Sequence, residues 1–511
     1  MNSSPTTSGS RTIYTASKST MWLWGVGTIA DALMIQTFGL VFQIFNTGFK
    51  MDAATLSWIL FVPRFIDGIL GPVIGNLSDN THSRWGRRKP FLVATSFLGA
   101  MIIAGIWWMN PAWSTTVQGI YLVIFATLYY TTWGTYSLTH YALGYELTDD
   151  YHERARVMAI RNVYLQVIVC AVGWTYWLAL RPEFGGEING IRWVSAGMGI
   201  LIIITGLVPV FACKERFSAV QLKKDTTPLI QAFKETMRIK PFVIYLLLRF
   251  FSMFGITVFN QLIFYVNVYY VCGGDKTLGM KIAGIGTMLT VVVTIAAMPL
   301  VPRLSRKIGK RTAVIIGSVI AVLQACIVPF LFSPNSGILK FFVNLFGIQL
   351  PISIDWTLPF SIYGIGDKIQ GVMDISTMSP YLQLIAALLM APMIQIAFVL
   401  RDAIVPDICD LDELESGKRR EALFTSVVNF VYKMEVSVCI LLVGQLIQLA
   451  DFNKEVAAQQ AHVLTRFQWF TFLPNVVFAI LALILAIKFP ITEAFMKKVH
   501  EQLEERRQKT P

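Results

Sequence analysis

Arg64 and Asp67 stand three residues apart inside the apolar run 55–77, where the chain reads Arg64-Phe65-Ile66-Asp67-Gly68-Ile69-Leu70-Gly71. On a helix that spacing puts both side chains on one face. The run is long enough to cross a bilayer, where charge is expensive, so an ionisable pair at that depth marks an ion or solute path by default. A carboxylate beside a permanent cation can take up and release a proton or help to hold a small cation. The alternative is a fixed ion pair. Asp31, Arg161, Arg249, Lys433 and His140 also fall in apolar runs. Asp31 can accept two hydrogen bonds from vicinal hydroxyl groups, and Lys433 can balance a carboxylate or tie helices together. Arg64 and Arg249 read as structural, each able to pair with a carboxylate or reach helix-end carbonyls, and His140 as a packing histidine rather than a proton relay.

These residues need helices to hold them. Of 511 residues, 55% are hydrophobic and only 14% charged, with a mean hydropathy of +0.58. A soluble globular chain carries about 25% charge, so the class is membrane. A spanning helix needs roughly 20 apolar residues. The runs 21–45, 55–77, 91–109, 117–143, 157–180, 191–213, 242–271, 278–301, 313–332, 381–405, 423–449 and 467–487 meet that need, which predicts an all-α membrane protein of about twelve spans. Tyr129, Tyr130, Trp133, Trp174 and Trp177 offer flat apolar faces on which a ring can stack, or serve as core and lipid-belt aromatics.

The net charge of +12 is not gathered on one patch, which argues against nucleic acid. Basic residues concentrate in alternate loops, at Arg84–Lys89, Lys223–Lys240, Arg303–Arg311 and Lys418–Arg420, and in the tail from Lys497. That bias predicts cytoplasmic termini. The 1–20 tail lacks an apolar core with a cleavage site, so no cleaved signal is expected. The six cysteines are scattered, without the spacing of a metal site or disulfide framework. Phosphate-cradling, nucleophile-elbow and zinc-protease motifs are missing, so neither an ATP-driven pump nor an enzyme is expected.

The chain repeats itself. Gly86-Arg87-Arg88 follows the second run and Gly309-Lys310-Arg311 the eighth; Glu146-Leu147-Thr148-Asp149 follows the fourth and Asp407-Ile408-Cys409-Asp410 the tenth. Two similar halves follow, a six-helix bundle at 21–213 and another at 241–488, with an outer insertion at 334–379. A cytoplasmic linker at 214–240 joins them. It holds a helix with Thr227 as cap, Pro228 in its first turn, and an apolar stripe of Leu229, Ile230, Phe233 and Met237, expected on the inner membrane face. The tail 489–511 reads as a solvated helix. Carboxylates beside basic loops suggest cytoplasmic gating ion pairs: Asp79, Arg87, Arg88, Asp149 and Arg154 in the first half, Asp407, Asp410 and Arg419 in the second.

Three stretches carry a resemblance to a known family: Asp67–Pro72 with Asn80–Pro90, Tyr141–Arg154, and Asp407–Glu421. Together they resemble the glycoside–pentoside–hexuronide:cation symporters, the melibiose-permease-like branch of the major facilitator superfamily. The resemblance spans nearly the whole chain and implies that fold, with alternating access. It places Asp31, Arg161, Lys433, Phe398 and Trp133 at the sugar, and Asp67, Thr135 and Arg64 at the coupling cation. The chain also departs from the family. Gly71 stands where a second cation-site carboxylate is expected, Leu70 replaces an asparagine, and Leu138 falls where a second sugar-binding aspartate is expected. A sodium ion needs several oxygen ligands, whereas a proton needs one titratable group. Proton coupling is therefore expected above sodium coupling.

The resulting expectation is cation-coupled symport of a sugar, glycoside or hexuronide, with no bound cofactor or metal, H+ or Na+ as co-transported ion, membrane lipids as surroundings and a monomer in the bacterial inner membrane. The alternatives are an uncoupled uniporter and a carrier of lysophospholipid or another amphiphile. A membrane-bound sugar sensor would need a signalling domain that the short tails do not supply.

Overall fold

The computed structural model describes residues 16–81, 83–148, 151–213, 215, 229–297, 303, 307–332, 379–389, 404–416, 421–456 and 458–509. Ten helices among the described residues are long and apolar enough to cross a membrane. Two of the twelve expected spans are not among them. Thr115–Tyr145 is a continuous helix of 31 residues, but its tyrosines, threonines and tryptophan lower its hydropathy. Of the run 381–405 the structure describes 381–389, in the short apolar helix Pro380–Leu389, and 404–405. The insertion 334–379 lies, but for Ser379, outside the described residues, as do Asp149, Phe398, Arg401 and Arg419. So do the side chains of Asp79 and Arg154.

In chain order the helices are α1 (Lys18–Phe38), α2 (Val41–Thr47), α3 (Ala53–Asn80), α4 (Lys89–Gly105), α5 (Thr115–Tyr145), α6 (Tyr151–Val172), α7 (Thr175–Ala179), α8 (Glu187–Ala212), α9 (Leu229–Thr236), α10 (Lys240–Tyr265), α11 (Lys276–Ala297), α12 (Lys310–Leu331), α13 (Val405–Ser416), α14 (Glu421–Leu449), α15 (Ala461–Lys488) and α16 (Glu493–Lys509). Local sequence sets their starts. The Ser17 hydroxyl accepts from the Thr20 amide at 3.2 Å and caps α1. Proline occupies the first turn of α4 and α10, where its missing N–H costs nothing.

The chain divides into two compact units, 1–44 with 62–226, and 45–61 with 227–511. In the first, α1 packs on α8 and α6, and α4 on α8 and α5. In the second, α10 packs on α15 and α14, and α12 on α15. Tyr265 closes α10 by stacking on Phe467 at 5.5 Å and donating to Asn46 Oδ1 at 2.8 Å.

Two amphipathic segments dock on the second unit. Phe233 and Met237 of the linker stripe pack against its core, while the side chains of Leu229 and Ile230 lie outside the described residues. The C-terminal helix is not simply solvated. Met496, Val499 and Leu503, spaced as one face of α16, are buried in that same core. The tail is charged enough to read as solvated, yet three apolar residues on one face suffice to dock it.

Close packing depends on glycine at particular points. A Cβ on Gly190 would lie 1.8 Å from the Ala179 carbonyl oxygen, where α7 crosses α8, whereas one on Gly197 would meet open space. Gly190→Ala is expected to destabilise the protein by about 1–3 kcal/mol through forced backbone displacement. Gly197→Ala should be neutral or slightly stabilising, since it removes only glycine's entropic cost in a helix. Thermal unfolding of the two variants in the same detergent checks the contrast.

Candidate functional site

The first unit holds two ion pairs linked by one tryptophan. Helix α5 turns Tyr129, Trp133, Tyr136 and His140 to α1, residues spaced at 4, 3 and 4 as a single helical face requires. Tyr136 donates to the Gly27 carbonyl at 3.0 Å, and Tyr129 donates to the Met34 carbonyl. His140 stacks on Trp24 with ring centroids 4.7 Å apart, and its Nε2 lies 3.0 Å from the Trp24 carbonyl. It is a fully buried packing residue. The approach is possible because α1 is glycine there: a Cβ on Gly27 would fall 2.7 Å from His140 Nε2.

This face brings Trp133 to Asp31. The indole Nε1 donates to Asp31 Oδ1 at 3.0 Å, and Arg161 of α6 donates to Oδ2 at 3.3 Å. The carboxylate is thus held at both oxygens. Arg161 also lies over the Tyr141 ring, 4.1 Å from its centroid. On α3, Arg64 Nη1 meets Asp67 Oδ2 at 3.1 Å, and its guanidinium covers Tyr130 at 4.8 Å and Trp133 at 5.4 Å. Trp133 therefore offers its edge to Asp31 and its face to Arg64. Asp31, Arg64 and Asp67 are only 5%, 2% and 1% exposed, so each charge needs the other pair members. Asp67 also comes close to α5, for a Cβ on Gly134 would lie 3.1 Å from its Oδ1. The neighbouring Thr135 hydroxyl donates to the Thr131 carbonyl at 2.7 Å. Among the described residues no group of three or more His, Cys, Asp or Glu could hold a metal ion.

The repeated loops fold alike. Gly86 and Gly309 both have positive φ, at 107° and 80°, which glycine adopts without strain. After each, the next residue binds a carboxylate at the end of a distant helix of its own unit: Arg87 to Glu146 at 3.0 Å, Lys310 to Asp407 at 2.8 Å. Arg88 also pairs with Glu146 and donates to the Ala142 carbonyl at 2.7 Å. Asp410 meets His500 of α16 at 3.2 Å.

Sequence reasoning missed two carboxylates. Glu215, just past α8, accepts from the amides of Arg87, Arg88 and Lys89 at 2.7, 2.9 and 2.9 Å, capping the start of α4 with the charge its dipole favours. Nothing in its local sequence marks it. Glu435 of α14 is 1% exposed and could have been found by the rule that located Asp67, a charge inside an apolar run. Lys433, partly buried on the same helix, belongs to the second unit, whereas Asp31 belongs to the first.

The family model described as MFS/sugar transport protein matches residues 23–493. The chain belongs to this family. This MFS/sugar transport protein is an integral membrane transporter with the all-α major facilitator fold, not an enzyme, in line with the resemblance to the glycoside–pentoside–hexuronide symporters. It is 24% identical to an uncharacterised symporter of Synechocystis sp., over 95% of this chain and 96% of the relative. It is likewise 24% identical to a lactose permease of Lactobacillus delbrueckii subsp. bulgaricus, over 94% of this chain and 72% of the permease. The isoprimeverose transporter of Lactiplantibacillus pentosus is also 24% identical, with 54% of this chain and 56% of that protein covered. Among solved structures, the nucleoside transporter NupG superposes with a TM-score of 0.57 at 12% identity, covering 92% of this chain and 98% of that one. A bacterial homologue of the lysosomal transporter Spinster gives 0.59 at 13%, covering 96% and 99%. These two establish the fold.

Outside the membrane, burial raises the Asp407 carboxyl above its ordinary value of 3.8, opposed by its bond to Lys310. The fold thus favours protonated Asp407 relative to the unfolded chain, and the stability this confers is full below pH 3.8 and lost as pH rises through the raised value. Asp407→Asn, which stays neutral, should therefore match wild type in melting temperature at acid pH and gain on it as pH increases. Melting curves of both proteins across that range check the sign.

Proposed function

We propose that this transporter carries a sugar, glycoside or hexuronide by alternating access, coupled to a proton rather than to sodium. The observation that carries the proposal is the double hold on Asp31. With one oxygen on an indole N–H and the other on a guanidinium, the carboxylate is fixed in orientation and keeps lone pairs for a pair of neighbouring sugar hydroxyls. Trp133 and Arg161 then position the acceptor, and aromatic faces nearby suit the C–H face of a sugar ring. Several relatives are named for sugars, which supports this cargo.

Asp67 is the proton site in this reading. Its ligand set is one carboxylate beside an arginine, with Gly71 and Leu70 supplying no oxygen from their side chains, and that suits a proton better than a dehydrated sodium ion. Arg64 balances the charge left when the proton departs. Arg87 and Arg88 with Glu146, and Lys310 with Asp407, act as cytoplasmic struts during the cycle, and Lys433, Phe398 and Thr135 complete the binding and coupling set. The setting is the inner membrane of a bacterium, with the termini in the cytoplasm and the carrier acting as a monomer.

Substrate-induced alkalinisation of de-energised cells tests this, with lactose, melibiose and a glucuronide added one at a time. Wild type should draw protons in with at least one of them. Asp67→Asn should lose the proton signal while still equilibrating labelled sugar. Asp31→Asn should weaken apparent affinity by about 10–100-fold, the value of roughly 1.5–3 kcal/mol for hydrogen bonds to a charged group. Sodium-stimulated uptake that persists across pH would overturn proton coupling. Transport of a lysophospholipid with no response to any sugar would overturn the cargo.

A further inference from the structure

The second unit contains an intramembrane carboxylate to which the transport cycle above gives no task. Glu435 lies on α14, inside the candidate span Leu423–Leu449, and is 1% exposed. Its surroundings follow from its helical stripe. Tyr432, Glu435 and Cys439 are spaced by three and four residues and so share one face. At one end of the stripe Arg249 of α10 lies over the Tyr432 ring, 5.8 Å from its centroid. At the other, Cys439 donates its thiol to the Phe254 carbonyl of the same helix at 3.9 Å. Glu435 is therefore buried against α10, between Arg249 and Phe254. The first unit has the same three residue types differently arranged: Arg64 covers Tyr130 of another helix and pairs with Asp67 on its own, whereas Glu435 shares its helix with Tyr432 and the arginine comes from α10.

We propose that Glu435 is a second proton-exchanging carboxylate of the transport cycle, serving the second unit as Asp67 serves the first. Its protonated form releases H+ to water and the carboxylate that remains is balanced by Arg249. A carboxyl group inside a span is costly when charged and cheap when neutral, so a change in its hydration or in its approach to the arginine is enough to move the proton. The elements packed against α14 carry further titratable and charged groups. Helix α10 brings Tyr245 in addition to Arg249, and α14 itself contributes Tyr432, Lys433 and Cys439. Helices α9 and α13 pack on the opening turns of α14, around Leu423 to Val431. They bring Lys234, Glu235, Asp407, Asp410, Asp412 and Glu413. Sequence spacing would not have suggested the role, for Glu435 stands two residues from Lys433 and the two point to different sides of the helix.

The proposal rests on the reading of this chain as a proton-coupled carrier, and a substrate-free measurement separates the two. Infrared difference spectra of the purified protein in phospholipid nanodiscs, recorded between acid and alkaline pH, report each carboxyl that changes protonation. Wild type should show a protonated-carboxyl band that vanishes in Glu435→Gln, moves in Glu435→Asp and persists in Asp67→Asn. If Glu435→Gln gives the wild-type spectrum, Glu435 is a fixed partner of Arg249 and the proposal is wrong. Should Glu435→Gln not fold, Glu435→Asp decides alone: an unmoved band overturns the assignment. A wild-type spectrum that keeps the Glu435 band but contains no band removed by Asp67→Asn would sink only the coupling role given to Asp67. In vesicles, Glu435→Gln should cut lactose accumulation driven by one pH unit by about tenfold, the ratio one coupled proton sustains. Equilibrium exchange of labelled lactose should stay close to wild type, whereas a merely structural loss would lower both.

Discussion

Everything in the first unit answers to one constraint: a charge placed inside a bilayer must be matched at once, because no water is there to do it. Arg64 and Asp67 meet that demand together, and so do Asp31 and Arg161. What joins the two pairs is Trp133, which gives an N–H to one and a ring face to the other. An indole is suited to this because its edge is a donor and its face is electron-rich. The tyrosines of α5 then have a task beyond filling space. By bonding to carbonyls of α1 they fix the register that keeps Trp133 opposite Asp31.

How much of this could be read from the chain depends on the range of the interaction concerned. The Arg64–Asp67 pair was legible because its members are three residues apart on one helix. The loop repeat was legible too, since Gly86 and Gly309 are needed for the same left-handed turn, and the acids that answer the two loops, Glu146 and Asp407, stand at matched places in the repeat. Glu215 was not. Its three amide donors lie more than a hundred residues upstream, and only the fold carries them to it. The C-terminal helix failed for another reason. A highly charged segment resembles a solvated one until a complementary apolar surface exists, and that surface is built from α10, α13 and α14.

The site shows a related division. The resemblance already grouped Asp31, Arg161 and Trp133 at one site. The packing of α1, α5 and α6 adds how they meet, with the indole on one carboxylate oxygen and the guanidinium on the other. Thr135 shows the same division: its residue type suits a cation ligand, and the structure adds that its hydroxyl donates to the Thr131 carbonyl of its own helix, which fixes where its lone pairs face. Residue type shows what chemistry is available, and the third dimension shows how each group is oriented.

The two loop ion pairs also bear on speed. Arg87 with Glu146 and Lys310 with Asp407 each join partners of a single unit. A pair bridging two moving bodies must be broken once per cycle, and every 1.4 kcal/mol of that rupture slows the step by about tenfold. A pair carried within one body travels with it and contributes nothing to that barrier. These loops can thus be braced by ion pairs without making the carrier slow.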